Sequence, residues 1–153
     1  MKNERGRKRG VETEREIEAK EKDEEVTGAV GKKMLTHIEG MQTKGLQQRL
    51  THTETPLTII ACENMIGGSA FLKEKVYEHL SADEKTRFDK HFSFPSASVD
   101  RIVPNEVNDD KLLVKVEPFY EWVVEEADII GENPPVKGIT FVQNLEPFIE
   151  RKL

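Results

Sequence analysis

The spacing of hydrophobic and polar positions divides the chain into a charged first segment and an α/β remainder. Residues 1–25 consist mostly of Lys, Arg, Asp and Glu, with few apolar side chains. Such a segment cannot build a core, and we expect a disordered tail or a solvated helix there. From Val26 onward, short apolar runs alternate with stretches of helical spacing, which predicts an α/β fold with parallel strand pairing.

The predicted elements can be given in chain order. The first half contains a strand at 26–31, a helix with apolar positions over 34–46, a buried strand at 57–62, a helix over 71–80 and a helix starting at Ser81. Glu84 follows Ser81 by three residues, which is the capping-box pattern. The second half contains strand-like runs at 99–103, 112–116, 121–124 and 139–142, which predict a mixed or antiparallel extension of the sheet.

The last ten residues have the spacing of an amphipathic closing helix. Leu145, Phe148 and Ile149 fall at i, i+3 and i+4, and Lys152 takes the i+7 position that would continue the apolar face. Burial lowers the pKa of a lysine, so a lysine on this face is a candidate general base. The alternative is a surface lysine whose stem packs along the apolar face while its charge stays in water.

The turn after the second strand is a candidate ligand site. In parallel α/β sheets, ligands bind beyond the carboxyl ends of the strands, and Asn64 lies in this turn just before two glycines. Gly31, at the end of the first predicted strand, is expected to lie beside it. Asn64 could bond a cofactor, although Asn and Gly are also ordinary turn residues.

Adjacent opposite charges mark the strand that begins at Val99. In a regular strand Asp100 and Arg101 point to opposite faces, so one of them is expected to turn inward. Its partner would be either a structural ion pair or a polar substrate. The four histidines have no spacing typical of metal ligands, so we predict no metal site. Neither a GxGxxG nor a Walker-type loop occurs in the sequence.

Composition narrows the choice of partners and location. The chain has 153 residues and a net charge of -6, which favours one soluble domain and gives no reason to expect nucleic acid or an anionic membrane as partner. No apolar run is long enough for a membrane span or a secretory signal, so a cytoplasmic location is expected. Cys62 is the single cysteine, and its apolar neighbours predict a buried structural thiol.

Five stretches, in this order, resemble the polyol-specific long-chain dehydrogenases. They are Val26-Thr-Gly-Ala-Val-Gly31, Ile59-Ile-Ala-Cys-Glu-Asn-Met-Ile-Gly-Gly68, Val99-Asp-Arg-Ile-Val-Pro104, Val116-Glu-Pro-Phe-Tyr-Glu-Trp122 and Leu145-Glu-Pro-Phe-Ile-Glu-Arg-Lys-Leu153. The resemblance covers about residues 26–153 and leaves the charged segment out. It implies a partial Rossmann-type, doubly wound sheet that lacks its first strands, with a mixed strand extension and a closing C-terminal helix.

The resemblance also implies an activity, which is NAD-dependent interconversion of D-mannitol 1-phosphate and D-fructose 6-phosphate without a metal. The lysine matching Lys152 is the family's general base. Gly31 and Asn64 match motifs on the cofactor side of the cleft.

On the substrate side, the resemblance points to the strand with Asp100 and Arg101. The segment before that strand faces the reacting carbon in the family. Many relatives carry Asn where this chain has Ser96, which can still form a hydrogen bond.

Other family features are expected outside these residues. A glycine-rich first strand would precede them, and an Asn, a His and a C-terminal helical domain would follow the lysine. This leaves two hypotheses: a truncated NAD-dependent dehydrogenase, or a catalytically inactive fragment or binding module of the same fold lineage. A sheet without its first strands exposes an edge, so we also expect self-association through that edge.

Overall fold

The computed structural model describes residues 25–29, 31–63 and 65–151. In chain order its elements are β1 (Glu25–Gly28), α1 (Lys32–His52), β2 (Leu57–Ala61), α2 (Gly68–Glu78), α3 (Ala82–His91), β3 (Phe92–Ser93), β4 (Ala97–Asp100), β5 (Glu121–Glu125), β6 (Thr140–Val142) and α4 (Glu146–Glu150). The predicted α/β class is confirmed. The predictions for residues 1–24, Asn64 and Lys152 lie outside the described residues.

The first sheet has the strand order β1-β2-β3, and both of its pairs are parallel. All five residues of β2 are buried, as expected for a central parallel strand covered on both faces. One face of β2 joins a core with side chains from α1, α2 and α3. The buried members of that core are Leu35, Leu46, Leu50, Leu57, Ile59, Ala61, Leu72, Val76, Leu80, Phe88, Phe92 and Phe94.

Helix α3 begins with the capping box that the sequence predicts. The Ser81 side chain accepts a hydrogen bond from the Glu84 amide, and the Glu84 carboxylate accepts one from the Ser81 amide. The helix carries Phe88 into the core, where its ring packs edge-on against Tyr77 and Phe92. The local capping box therefore fixes where α3 begins, and Phe88 is the residue that this helix buries in the core.

The second sheet has the order β4-β5-β6, with an antiparallel pair followed by a parallel one. The predicted mixed part is therefore a three-stranded sheet of its own. β4 ends at Asp100, which is earlier than the predicted end at Val103. Val123 and Val124 of β5 and Leu145, just before α4, are buried, and the two valines point to opposite faces of the sheet.

The strand predicted over Leu112–Val116 is wrong. Residues 101–117 instead form an exposed arm, and Leu112 is 90% exposed. The arm is closed at its base by two hydrogen bonds between Ile102 and Glu117, at 2.5 and 3.2 Å. A short apolar run forms a strand only where a neighbouring strand pairs with it and a core buries its side chains, and the described residues offer neither here.

Candidate functional site

A cavity of about 740 Å³ lies where the carboxyl ends of β1 and β2 meet the β4–β5 pair. Its lining residues are Thr27, Gly28, Ala29, Cys62, Val99, Asp100, Arg101, Val103, Tyr120, Glu121 and Trp122. Ligands of parallel α/β sheets bind at the carboxyl ends of the strands, and the volume is in the usual range for a small-molecule site. This cavity is therefore the candidate site.

Two hydrogen bonds donated by backbone amides hold the end of β2 beside the cavity. The Cys62 amide donates to the Gly28 carbonyl at 2.8 Å, and the Ala61 amide donates to the hydroxyl of buried Ser69 at 3.0 Å. The second bond ties the end of β2 to the start of α2. Cys62 was predicted to be buried, but it is half-buried and lines the cavity, because β2 ends one residue before it.

Gly31 lies next to the cavity rather than in its wall. Its amide donates to the Glu63 carboxylate at 2.7 Å, and its φ of 83° lies in the region that favours glycine. Gly31 was predicted to end the first strand, but that strand ends at Gly28, where its pairing with β2 stops. Gly28 and Ala29, from the same turn, contribute to the wall.

The structure brings Asp100 and Arg101 to the cavity together. Both line it and both are exposed to solvent, so the prediction that one of them turns inward is wrong. Because β4 ends at Asp100, Arg101 leaves the strand, and strand alternation does not set its direction. The Arg101 guanidinium donates twice to the Glu117 carbonyl, at 3.1 and 3.0 Å, and lies 5.8 Å from the centre of the Tyr120 ring.

Ser96 lies between β3 and β4 and is half-buried. Its carbonyl accepts the Glu125 amide at 2.9 Å, which continues the β4–β5 pairing by one residue at the end away from Asp100 and Glu121. Ser96 is not among the residues lining the cavity. The hydroxyl of nearby Ser98 is buried and has no hydrogen-bond partner within the described part of the chain.

The C-terminal helix contacts the cavity wall through Glu121 of β5, which lies near Arg151 at the end of the helix. The predicted apolar face is present, since Leu145 is buried and both Phe148 and Ile149 are half-buried. Arg151, which follows α4, lies 3.7 Å from the Glu121 carboxylate. Lys152 is the next residue in the chain and lies outside the described residues.

Arg151 is held in place by its own helix as well. Its Nε donates to the Pro147 carbonyl at 3.2 Å, and its guanidinium lies 4.7 Å from the centre of the Phe148 ring. These contacts orient the Arg151 side chain along its own helix, and its contact with Glu121 joins it to the cavity wall.

Trp122 is a site residue that the sequence offers only as the last residue of the stretch Val116–Trp122. It lines the main cavity and also a second cavity of about 370 Å³ beside Phe148 and Gly138. Its indole N–H is buried and has no hydrogen-bond partner among the residues the structure describes. A buried donor of this kind is costly unless a ligand or water satisfies it. No sequence pattern marks it, because only the packing of two sheets creates the wall.

The chemistry available in the cavity is hydrogen bonding with charged and neutral groups. Asp100 and Glu121 supply carboxylates, Arg101 supplies a guanidinium and Trp122 an N–H, which together suit the hydroxyl groups of a polar ligand. In the described ranges no three His, Cys, Asp or Glu side chains cluster closely enough to hold a metal ion. No helix there is both long and apolar enough to cross a membrane.

Comparison with known proteins identifies the sequence relatives. The sequence model of the mannitol dehydrogenase Rossmann domain matches residues 3–138, so the match includes most of the charged segment. The mannitol-1-phosphate 5-dehydrogenase of Oceanobacillus iheyensis is 54% identical over 136 residues, and that of Geobacillus stearothermophilus is 51% identical over 143. These alignments cover 89% and 94% of this chain but 35% and 37% of the relatives. The chain thus spans about a third of their length.

A solved structure shows the same fold relationship. The mannitol 2-dehydrogenase of Pseudomonas fluorescens, in a ternary complex with NAD and D-mannitol, matches with a TM-score of 0.59 and 27% sequence identity. The match covers 75% of this chain and 27% of that one. The described strands and helices are therefore a part of a Rossmann-type domain.

Proposed function

The chain belongs to the mannitol dehydrogenase family, and from this premise we propose that it forms part of the NAD site of a mannitol-1-phosphate 5-dehydrogenase. The proposed reaction converts D-mannitol 1-phosphate and NAD+ to D-fructose 6-phosphate, NADH and a proton. The observation that carries this proposal is the cavity at the carboxyl ends of β1 and β2, because two carboxylates and a guanidinium meet there.

The described residues fit a dinucleotide and a polyol. The cavity is open, its volume suits part of a cofactor, and the unpartnered Trp122 N–H offers a donor to a bound group. When bound, NAD would supply the hydride acceptor. We assign Gly31 and Asn64 to the cofactor side, and Asp100 and Arg101 to the hydroxyl groups of the substrate.

Proton transfer is assigned to Lys152. Its amine would take the proton of the reacting hydroxyl, whereas Ser96, which does not line the cavity, is given no part in this step. The Arg151–Glu121 contact supports this assignment, because it holds the residue preceding Lys152 at the cavity wall. The buried Leu145 supports it further, since it anchors the start of the same segment.

The test uses Trp122 as a built-in probe, because it is the single tryptophan of the chain. NADH titrated into the protein should quench Trp122 emission, and fructose 6-phosphate should then cause NADH oxidation. Lys152→Ala should abolish oxidation and leave quenching unchanged, while Lys90→Ala, at an exposed position on α3, should change neither. Quenching without turnover would favour the binding-module hypothesis, and an absence of both would refute the proposal.

We further propose that the protein associates with itself. β1 pairs with β2 alone among the described strands, and the arm exposes Leu112 and Val107 almost completely. Exposed edges and apolar patches favour contact with another chain. Sedimentation at several concentrations tests this, and a monomer at all of them would contradict it. The cytoplasmic location stays a prediction from the sequence.

A further inference from the structure

Glu63 is a buried carboxylate outside the set of residues that line the cavity. It follows β2 by two positions, is 7% exposed, and accepts the Gly31 amide at 2.7 Å. A buried carboxylate is very costly unless its oxygens are hydrogen-bonded, so this contact strongly restricts where the two segments lie.

The contact closes a turn that carries part of the cavity wall. Gly28 and Gly31 are held by two consecutive residues, because the Cys62 amide donates to the Gly28 carbonyl at 2.8 Å and the Glu63 carboxylate accepts the Gly31 amide. Gly28 and Ala29, within this span, line the cavity. The shape of that wall therefore depends on Glu63.

Glu63 also serves the start of α1. That helix has no side-chain cap at Gly31 and no acidic residue in its first turn. A carboxylate at the first amides satisfies an unpaired donor and suits the positive end of the helix dipole. Glu63 thus accepts a hydrogen bond at the start of α1, as Glu84 does at the start of α3, although Glu63 is distant from α1 in sequence.

We propose that Glu63 is a positioning residue for the candidate site. It holds the turn of Gly28 and Ala29 in the geometry that receives the ligand, and it does not touch the ligand itself. The identity of that ligand as NAD rests on the proposed function. Glu63→Gln keeps an oxygen acceptor for Gly31, whereas Glu63→Ala removes it.

The experiment compares Glu63→Ala, Glu63→Gln and the exposed control Glu74→Ala at a temperature where circular dichroism shows each to be folded. Hydrogen exchange of the Gly31 amide should be about tenfold faster in Glu63→Ala, since bonds to charged acceptors are strong. NADH affinity, followed by Trp122 quenching, should fall about tenfold. Glu63→Gln should restore both to within about threefold of the wild type.

Two results would overturn the inference. Unchanged Gly31 exchange in Glu63→Ala would mean that the bond does not hold the turn, and faster exchange with unchanged NADH affinity would mean a purely structural role. If the wild-type protein binds no NADH, the proposed function fails by itself. The NMR chemical shift of the Ala29 amide then tests the positioning role. A changed chemical shift in Glu63→Ala would support that role, and an unchanged one would overturn it.

Discussion

Truncation of Phe88 should lower the free energy of unfolding more than truncation of most other side chains. It is 1% exposed, its ring centre lies 4.8 Å from that of Phe92 and 6.1 Å from that of Tyr77, and both contacts are edge-on. Truncation of a buried Phe to Ala costs about 3–5 kcal/mol, from lost burial and the cavity left behind. The two ring contacts favour the upper part of that range for Phe88→Ala.

The measurement is urea unfolding followed by circular dichroism and by Trp122 fluorescence. With a slope of about 2 kcal/mol per M, Phe88→Ala should lower the midpoint by about 2 M. Phe119→Ala is the matched control, because that ring is 56% exposed, and its midpoint should move by less than about 0.3 M. Equal shifts for the two variants would refute the reasoning that α3 delivers the main core residue.

Three further predictions concern the helices. Ser81→Ala should lower the free energy of unfolding by about 1 kcal/mol, as measured by urea unfolding. Ser81→Asp should lower it by much less, because aspartate is also a good N-cap residue. Gly31→Ala should destabilise by about 1–3 kcal/mol, because the Gly31 backbone, with φ 83° and ψ 149°, lies in a region that essentially only glycine adopts. Gly40→Ala, inside α1, should stabilise by about 0.4–1 kcal/mol, and a Cβ meets no atom within 4 Å at either site. The Tyr77 hydroxyl, with help from Lys73, holds the pKa of Asp89 below its usual value of 3.8, so its contribution to stability is present above that pH and is lost as the pH falls through the lowered value. Tyr77→Phe should therefore raise the pKa of Asp89, as followed by NMR titration.

The elements predicted best from the sequence are those that a local pattern determines. The capping box at Ser81 is local chemistry, and the structure reproduces it. β3 was missed because its two residues, Phe92 and Ser93, are too few for a periodicity and pair only through the parallel neighbour β2. The strand predicted over 112–116 was wrong because its apolar run is strand-like, but such a run carries no information about whether a neighbouring strand exists.

The candidate site was predictable in its parts but not as an assembly. Asp100 and Arg101 were singled out by their charges, and the structure brings both to the cavity. Glu63 and Trp122 lie in stretches that carry the family resemblance, but no pattern in those stretches marked either residue individually. Their roles come from a contact between residues 32 apart in sequence and from the packing of two sheets, which only the folded chain provides.

The pairing of β4 with β5 places two carboxylates opposite each other at the cavity. Asp100 is the register partner of Glu121, and like charges directly across an antiparallel pair destabilise a sheet. Arg151 offsets the charge of Glu121 at 3.7 Å, whereas Arg101 turns its guanidinium to the Glu117 carbonyl. Asp100 thus keeps its carboxylate at the cavity at some cost to the sheet. Local conflicts of this kind concentrate where a protein binds a ligand, which makes Asp100 the strongest candidate for direct contact with a hydroxylated substrate.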